Sequence, residues 1–404
     1  MTRVTSEAAA AAGARHSSSP AAQSGSARPF DLRLCDSIAD VDPSEWNAFL
    51  DPDDLQAAHR FVSVCERSHV ADAAYRHVLV YQGDQLVGIA TFSRMHVALD
   101  LLAGRAARAA IRFVRRWRPS FARVPVAFCG LPVSFGRSLL RFRPGAPVAT
   151  ITALVAKELR SWADEYGARV LCFKEFEVAE LDSLDSLGQL GYFRAPSLPF
   201  CTLPIRWSSL DQYLGAMRAN YRRQVLASLR VRRRMNLSVR TVEDFGSECA
   251  RIFRLYEQVM GRAEFQLERL NLAFFERLNA DLGPASQAIL IERRGELTAA
   301  AVMLLGSTEA TFLLAGIDYT QNRQCHAYLN LVTEVVALAI RRGAARLELG
   351  QTSYDLKRRH GAEAVPLFVY LKCTNPVGHA LLRAARPVMF PTHSYARRRV
   401  FRGP

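Results

Sequence analysis

The sequence repeats itself. His77-Val-Leu-Val-Tyr-Gln-Gly-Asp-Gln-Leu-Val-Gly-Ile-Ala-Thr-Phe92 is an apolar run, a Gly-Asp turn and a second apolar run. Ala288-Ile-Leu-Ile-Glu-Arg-Arg-Gly-Glu-Leu-Thr-Ala-Ala-Ala-Val-Met-Leu-Leu305 has the same form. Each reads as a β-hairpin, because glycine supplies the backbone conformation a tight turn needs between two strand-forming runs. A helical stripe follows each hairpin: Leu154, Leu159, Trp162 and Tyr166 in the first half, Tyr328, Leu331, Val332, Val335 and Leu338 in the second. Each stripe ends at a glycine suited to a left-handed cap, Gly167 or Gly343. Short apolar strands come next, at 169–173 and 346–349, then a polar segment closing at Gly191 or Gly361, then a last strand. This order predicts an α/β chain (α+β, mixed sheets) made of two tandem like units packed side by side.

The units are expected at 30–205 and 243–390, joined by a basic connecting helix at 206–242. Residues 1–29, rich in Ala, Ser, Gly and Arg without apolar periodicity, read as a disordered tail, and 391–404 as a basic tail. From Leu86 to Gly167 is 81 residues, against 46 from Leu297 to Gly343. The first unit therefore carries an insertion, which includes the Arg-rich segment 99–123.

The net charge of +15 is local. Segment 99–123 has seven Arg and one Asp, 212–241 has eight Arg and no acid, and 393–404 has four Arg. Such patches suit phosphates, nucleic acid or an anionic membrane surface, or solvated faces of an Arg-biased chain. In 99–123 the spacing of Arg105, Arg108, Arg112 and Arg115 predicts a basic amphipathic helix, on a membrane surface or on the protein itself. In 211–236, Leu214, Met217, Tyr221, Val225 and Leu229 predict one helix whose other face carries Arg218, Arg222 and Arg223. No uncharged apolar run reaches the roughly 18 to 20 residues of a membrane span, and 1–29 has no secretion-signal core. The expected location is cytoplasmic, or peripheral at the inner membrane face. Eight Cys occur without a CxxC pair or zinc-ligand spacing, so no metal is expected.

Two segments carry candidate chemistry. Asp318-Tyr-Thr-Gln-Asn-Arg-Gln-Cys-His326 lies between a strand and a helix, where backbone N–H groups and the helix dipole favour an anion; Asn322, Arg323 and His326 would face it. Gly350-Gln-Thr-Ser-Tyr-Asp-Leu-Lys-Arg-Arg-His-Gly361 crowds Gln351, Tyr354, Lys357 and His360 at a strand's carboxyl end. A phenol suits proton donation to a leaving thiolate and an ammonium suits an oxyanion. Lysine is rare here, at 157, 174, 357 and 372 only, so Lys357 stands out from the arginine background. Motifs of dinucleotide-binding, P-loop, α/β-hydrolase and zinc-protease chemistry are absent.

The duplication, together with Tyr319-Thr-Gln-Asn-Arg…Ala327-Tyr-Leu-Asn-Leu331…Gly343…Leu347-Glu-Leu-Gly-Gln351…Tyr354-Asp-Leu-Lys-Arg358, resembles the GNAT acyltransferase superfamily. More narrowly it resembles the double-unit bacterial branch that includes CelD-type acetyltransferases and Fem-type peptidyltransferases. The resemblance covers roughly residues 30 to 375. It implies N-acyl transfer from an acyl thioester such as acetyl-coenzyme A to an amine of a cell-envelope, polysaccharide or small-molecule acceptor. It implies donor binding at Gln321, Asn322, Arg323, His326 and Ala327, and Tyr354 as acid, with Lys357 beside it. Arg218, Arg222, Arg223 and Gln351 would meet the acceptor or its phosphates. Glu348 or His326 would serve as the base. The loop Gln324-Cys-His-Ala-Tyr-Leu has no glycine for a close backbone approach to pyrophosphate. The donor therefore stays open between coenzyme A, an acyl carrier protein and aminoacyl-tRNA. Beyond donor and acceptor, an anionic membrane surface is a candidate partner, and DNA is not expected. A non-catalytic binding protein for an anionic ligand is the alternative from another class. The chemistry is expected in the second half, because the first has Lys174 and Glu175 after its strand in place of the Tyr354–Lys357 cluster.

Overall fold

The computed structural model describes residues 28–98, 111, 113–114, 116–118, 121–133, 136–263 and 267–402, with the backbone of 3–4. Most of the expected basic helix at 99–123 lies outside the described residues. In chain order the first half runs β1 (Phe30–Cys35), α1 (His59–Arg67), β2 (Ala74–Gln82), β3 (Gln85–Ala98), β4 (Arg123–Cys129), β5 (Leu140–Phe142), α2 (Val148–Glu165), β6 (Val170–Glu177), β7 (Phe193–Pro196) and β8 (Phe200–Pro204). Helices α3 (Leu210–Ala216) and α4 (Ala219–Arg234) lead to β9 (Ser238–Val242), α5 (Cys249–Arg262) and α6 (Leu272–Leu282). The rest is β10 (Ser286–Arg293), β11 (Glu296–Leu305), β12 (Glu309–Ile317), α7 (Tyr319–Cys325), α8 (Ala327–Arg341), β13 (Arg346–Gly350), α9 (Tyr354–Arg359), β14 (Glu363–Val365), β15 (Leu367–Cys373) and α10 (Pro376–Met389).

The two halves build like sheets. The hairpins turn where glycine permits a left-handed residue, Gly83 at φ +61° and Gly295 at φ +81°. The stripes become α2 and α8, followed by Gly167 at φ +66° and Gly343 at φ +69°. Helix α2 sets Ile151, Val155, Leu159 and Trp162 against Val78, Phe92 and Phe173 of the first sheet. Helix α8 is buried nearly all round, because α3 and α4 cover the side turned away from the second sheet.

The last strands do not stay at home. The first sheet runs β1-β2-β3-β4-β6-β15-β7 and the second β9-β10-β11-β12-β13-β8-β14. Strand β8 leaves the first half to pair antiparallel with β13 and β14, and β15 leaves the second half to pair antiparallel with β6 and β7. The exchange is reciprocal, and proline marks both crossings: Pro196 and Pro199 before β8, Pro366 before β15. Without an N–H, proline ends one ladder and frees the chain to enter another. The boundary between units at 205 and 206 is therefore crossed by hydrogen-bonded strands. Fragments 28–205 and 206–402, expressed separately, should each fail to melt cooperatively, since each lacks an interior strand. Mixed together they should recover one transition by circular dichroism, and independent melting of either fragment would refute the exchange.

Side chains also clamp the halves. Arg137, just before β5, reaches Glu309 of β12 and Glu348 of β13, and Arg346 also holds Glu348 at 2.7 Å. Asp53 accepts from Ser307 and Thr308 in the turn between β11 and β12, with Thr308 N at 3.0 Å. The expected single connecting helix divides into α3 and α4, because Met217 leaves helical geometry to bridge Phe401 near the chain's end.

Candidate functional site

Both sheets contain one parallel pair, and the second opens early. Strands β4 and β6 pair from Val126↔Val170 to Cys129↔Phe173. Strands β12 and β13 pair only at Glu309↔Arg346, Ala310↔Leu347 and Thr311↔Glu348. Beyond Thr311 they part, and that divergence is where ligands enter α/β sheets. A cavity of about 860 Å³ occupies it and continues across the face of the first sheet.

The polar end of the cavity lies at the carboxyl end of β13. Gly350, Thr352 and Ser353 all have left-handed backbone, at φ +69°, +64° and +49°. For the β-branched Thr352 this is strained, at a cost of roughly 1–3 kcal/mol that the surroundings must offset. The turn aims the carbonyls of Gln351 and Gly350 at the Lys357 ammonium, at 2.6 and 3.4 Å. These use two of its three N–H bonds. Lys357 is buried in α9 and lines the cavity. Burial pushes its pKa down from 10.5 to about 8. Tyr328, in the first turn of α8, also lines the cavity. Desolvation raises its phenol to about 12, against a hydrogen bond with Ser353 that acts the other way.

The expected site residues fall into two groups. Lys357, Gln351 and Asn322 line the cavity, and the Gln351 side chain is anchored to the Leu198 carbonyl at 3.0 Å. Tyr354 does not. Its hydroxyl donates to the Pro199 carbonyl at 2.8 Å, and its ring packs at a tilt against Tyr395 with centroids 4.6 Å apart. Tyr328 is the phenol beside Ser353 at the polar end, while Tyr256 and Tyr319 line the cavity elsewhere; its spacing in the sequence is that of an apolar stripe residue. Glu348 is no free base either. Its carboxylate sits between Arg137 and Arg346 and takes a 3.2 Å hydrogen bond from Thr311.

The anion loop is replaced by helix α7. Asp318 caps it by accepting from Thr320 N, and the Gln321 amide donates to Asp318 at 2.9 Å. Asn322 Oδ1 accepts from Tyr328 N at 3.0 Å, so one donor of the α8 N-terminus is already used. His326 is the left-handed link between α7 and α8, Ala327 is fully buried, and Arg323 faces solvent. None of these three, nor Arg218, Arg222 or Arg223, lines the cavity. Arg223 is exposed on α4, and Arg218 Nε reaches the Phe401 carbonyl at 3.3 Å.

Lys174 and Glu175, at the matching strand end of the first half, line the same cavity. The Lys174 ammonium lies 5.6 Å from the centre of the Phe128 ring. The cavity is thus shared by the two units. All eight cysteines are free, and among the described residues no cluster of His, Cys, Asp or Glu could hold a metal ion. No helix of the described residues is long and apolar enough to cross a membrane.

The comparisons agree with this architecture. The family model FemAB-like, described as peptidoglycan biosynthesis/recognition, matches residues 37–316. The crystal structure of FemX superposes with a TM-score of 0.55 and 12% identity, over 85% of this chain and 98% of that one. A tandem GNAT protein from the clavulanic acid biosynthesis pathway gives 0.51 and 12% identity, over 85% and 99%. A protein of Mycobacterium tuberculosis named 8-amino-7-oxononanoate synthase 2 is 27% identical over 276 residues, 67% of this chain. The chain spans only 36% of that relative's length. A GNAT fold in tandem and a family match over residues 37–316, more than half of the chain, lead to one assignment: the chain belongs to the FemAB-like family.

Proposed function

We propose that the protein is an N-acyltransferase that moves an acyl group from a thioester to an amine at the polar end of the shared cavity. The observation that carries this reading is Lys357, a buried ammonium with a pKa near 8 at the point where β12 and β13 diverge. A departing thiol has a pKa near 8.5, so a proton donor near 8 is well matched to it, whereas a phenol near 12 is not. Lys357 is therefore the acid and Tyr328 a hydrogen-bond donor to the reacting group. The backbone of β12 beyond Thr311, outside the ladder with β13, supplies N–H groups for the carbonyl oxygen.

In the transfer step the amine nitrogen attacks the thioester carbon. The C–N bond forms, the C–S bond breaks, and the thiolate takes a proton from Lys357. The proton lost by the amine restores the ammonium. Holding donor and acceptor together supplies much of the rate. The helix in place of a glycine loop offers no close backbone cradle for pyrophosphate, so the thioester rather than its nucleotide handle defines the donor. A second reading, aminoacyl transfer from charged tRNA, draws support from the family and from the exposed arginines of α4. It predicts binding that weakens steeply with salt.

The two tyrosines separate this reading from the sequence-based one. Tyr328→Phe should lower kcat by about 10- to 100-fold, the scale of a lost hydrogen-bond donor to a reacting group. Tyr354→Phe should change kcat by less than about threefold and cost about 1 kcal/mol of stability, because its hydroxyl serves the Pro199 carbonyl. Steady-state transfer of acyl thioesters to an amine, with melting curves alongside, measures both. The reverse ranking would return the acid to Tyr354.

A further inference from the structure

The transfer step uses only one end of the cavity. The remainder is an apolar chamber, and its walls are specific. Val124 and Val126 of β4, Val170 of β6, and Val369 and Leu371 of β15 turn the same face of the first sheet toward it. They are alternate residues, as the pleat of a strand requires. On the other face of the same strands, Ala127, Leu171 and Tyr370 pack against α2 in an ordinary core. Met260 of α5 and Leu382 of α10 lie among the other walls. The exchanged strand β15 thus supplies the second sheet's substrate cavity with part of the first sheet's apolar face.

We infer that this chamber holds the hydrocarbon tail of a linear acyl donor, of about 12 to 16 carbons, whose carbonyl lies at the Lys357 end. The inference rests on the acyl-transfer reading for the position of the carbonyl, and goes beyond it in naming the donor class. Volume comes first. An 860 Å³ cavity is in the upper part of the roughly 300–1,000 Å³ range of ligand sites, and an acetyl group would leave most of it unused. Wall chemistry comes second. A sugar or peptide chain needs polar partners along its length when buried, whereas an alkyl chain needs none. Among the described residues, the charged lining away from Lys357 is Lys174, Glu175 and Glu268. Continuity comes third. The residues from Thr311 to Ala315 on the diverging edge of β12 line the same space as the valines of the first sheet, so a tail in the chamber is covalently within reach of a carbonyl beside β12.

The test uses the full chain and a series of S-(2-oxoalkyl) thioethers of phosphopantetheine, unreactive mimics with alkyl tails from two to sixteen carbons. Calorimetry should show Kd tightening about two- to fourfold per methylene until the tail reaches about 12 to 16 carbons. Val126→Trp should remove at least tenfold of the advantage of the sixteen-carbon over the two-carbon mimic, and Val369→Phe should remove part of it. A matched melting curve shows that each variant is folded; if neither folds, the wild-type series decides alone. Turnover of long acyl groups presented on coenzyme A or on a carrier protein then identifies which thioester delivers the tail. A Kd indifferent to donor length, or affinity set by the acceptor's chain instead, overturns the chamber. If transfer then persists with short donors, acyl transfer itself still stands. Length-dependent binding without any turnover has the opposite meaning: the chamber stands and the transfer reading fails.

Discussion

Replacing Lys357 by Met is expected to cut kcat by about 10²–10⁴-fold while leaving the protein at least as stable at neutral pH. The activity loss follows from removing a proton donor at the polar end whose pKa, near 8, is close to that of a thiol. The stability follows from the same burial. An ammonium with a folded pKa near 8 and an ordinary value of 10.5 is held at a cost of roughly 3 kcal/mol at pH 7. Methionine removes that cost but strands the Gln351 and Gly350 carbonyls, at about 1 kcal/mol each, which leaves a net gain of roughly 1 kcal/mol. The sign can be checked by pH. Below pH 8 both folded and unfolded chains carry the proton, and the cost is fully present. Between pH 8 and 10.5 only the unfolded chain keeps it, so wild-type stability gains on the variant as pH rises. Urea unfolding at pH 7 and pH 9.5 measures this. Lys357→Arg keeps the charge without a transferable proton, so it should not restore activity. In the wild type, kcat/KM should fall above about pH 8.

Arg137→Met should destabilise the protein by about 3 kcal/mol, the scale of breaking a buried ion pair while leaving its partner in place. Glu348 is 1% exposed and would be left with Arg346 and the Thr311 hydroxyl, and Glu309 would lose its contact across the two halves. Burial opposes the Arg137 charge, but Glu348 and Glu309 hold its pKa above the ordinary value, so the guanidinium stays charged. A second change, Glu348→Gln in the Arg137→Met background, should recover part of the loss by removing the uncompensated charge. Denaturant midpoints of the single and double variants decide it. Additive losses would mean that the clamp between the halves is not formed.

Much of the fold is legible in local pattern. Gly83 and Gly295 mark the hairpins, and the stripes ending at Gly167 and Gly343 mark α2 and α8, because turn and helix geometry depend on near neighbours. The exchange of β8 and β15 is not legible. Phe200–Pro204 and Leu367–Cys373 are short, largely apolar strands that would suit either sheet, and sequence alone does not say which edge receives them. The site divides in the same way. Lys357 is conspicuous because lysine is scarce. Tyr328 is hidden because its spacing with Leu331 and Val332 is that of any helix face, and only the tertiary position of α8 turns it to the cavity. Glu348 has the chemistry of a base, but the arginines that occupy it come from residue 137, more than two hundred positions away, and from its own strand. Val124, Val126 and Phe128 have the alternation of a core strand, and nothing local distinguishes a face that packs from a face that lines a chamber.

If Lys357 is the proton donor of the proposed transfer, its ammonium titrates near pH 8 beside the bound donor. The chain has four lysines, so each can be followed by nuclear magnetic resonance with lysine labelled at the ε carbon, with Lys357→Met identifying its signal. The Lys357 resonance should titrate near pH 8 and shift when a sixteen-carbon S-(2-oxoalkyl) thioether is added, while those of Lys157 and Lys372 stay where they are. A Lys357 resonance that titrates near 10.5, or that ignores the thioether, would mean that Lys357 is not the proton donor.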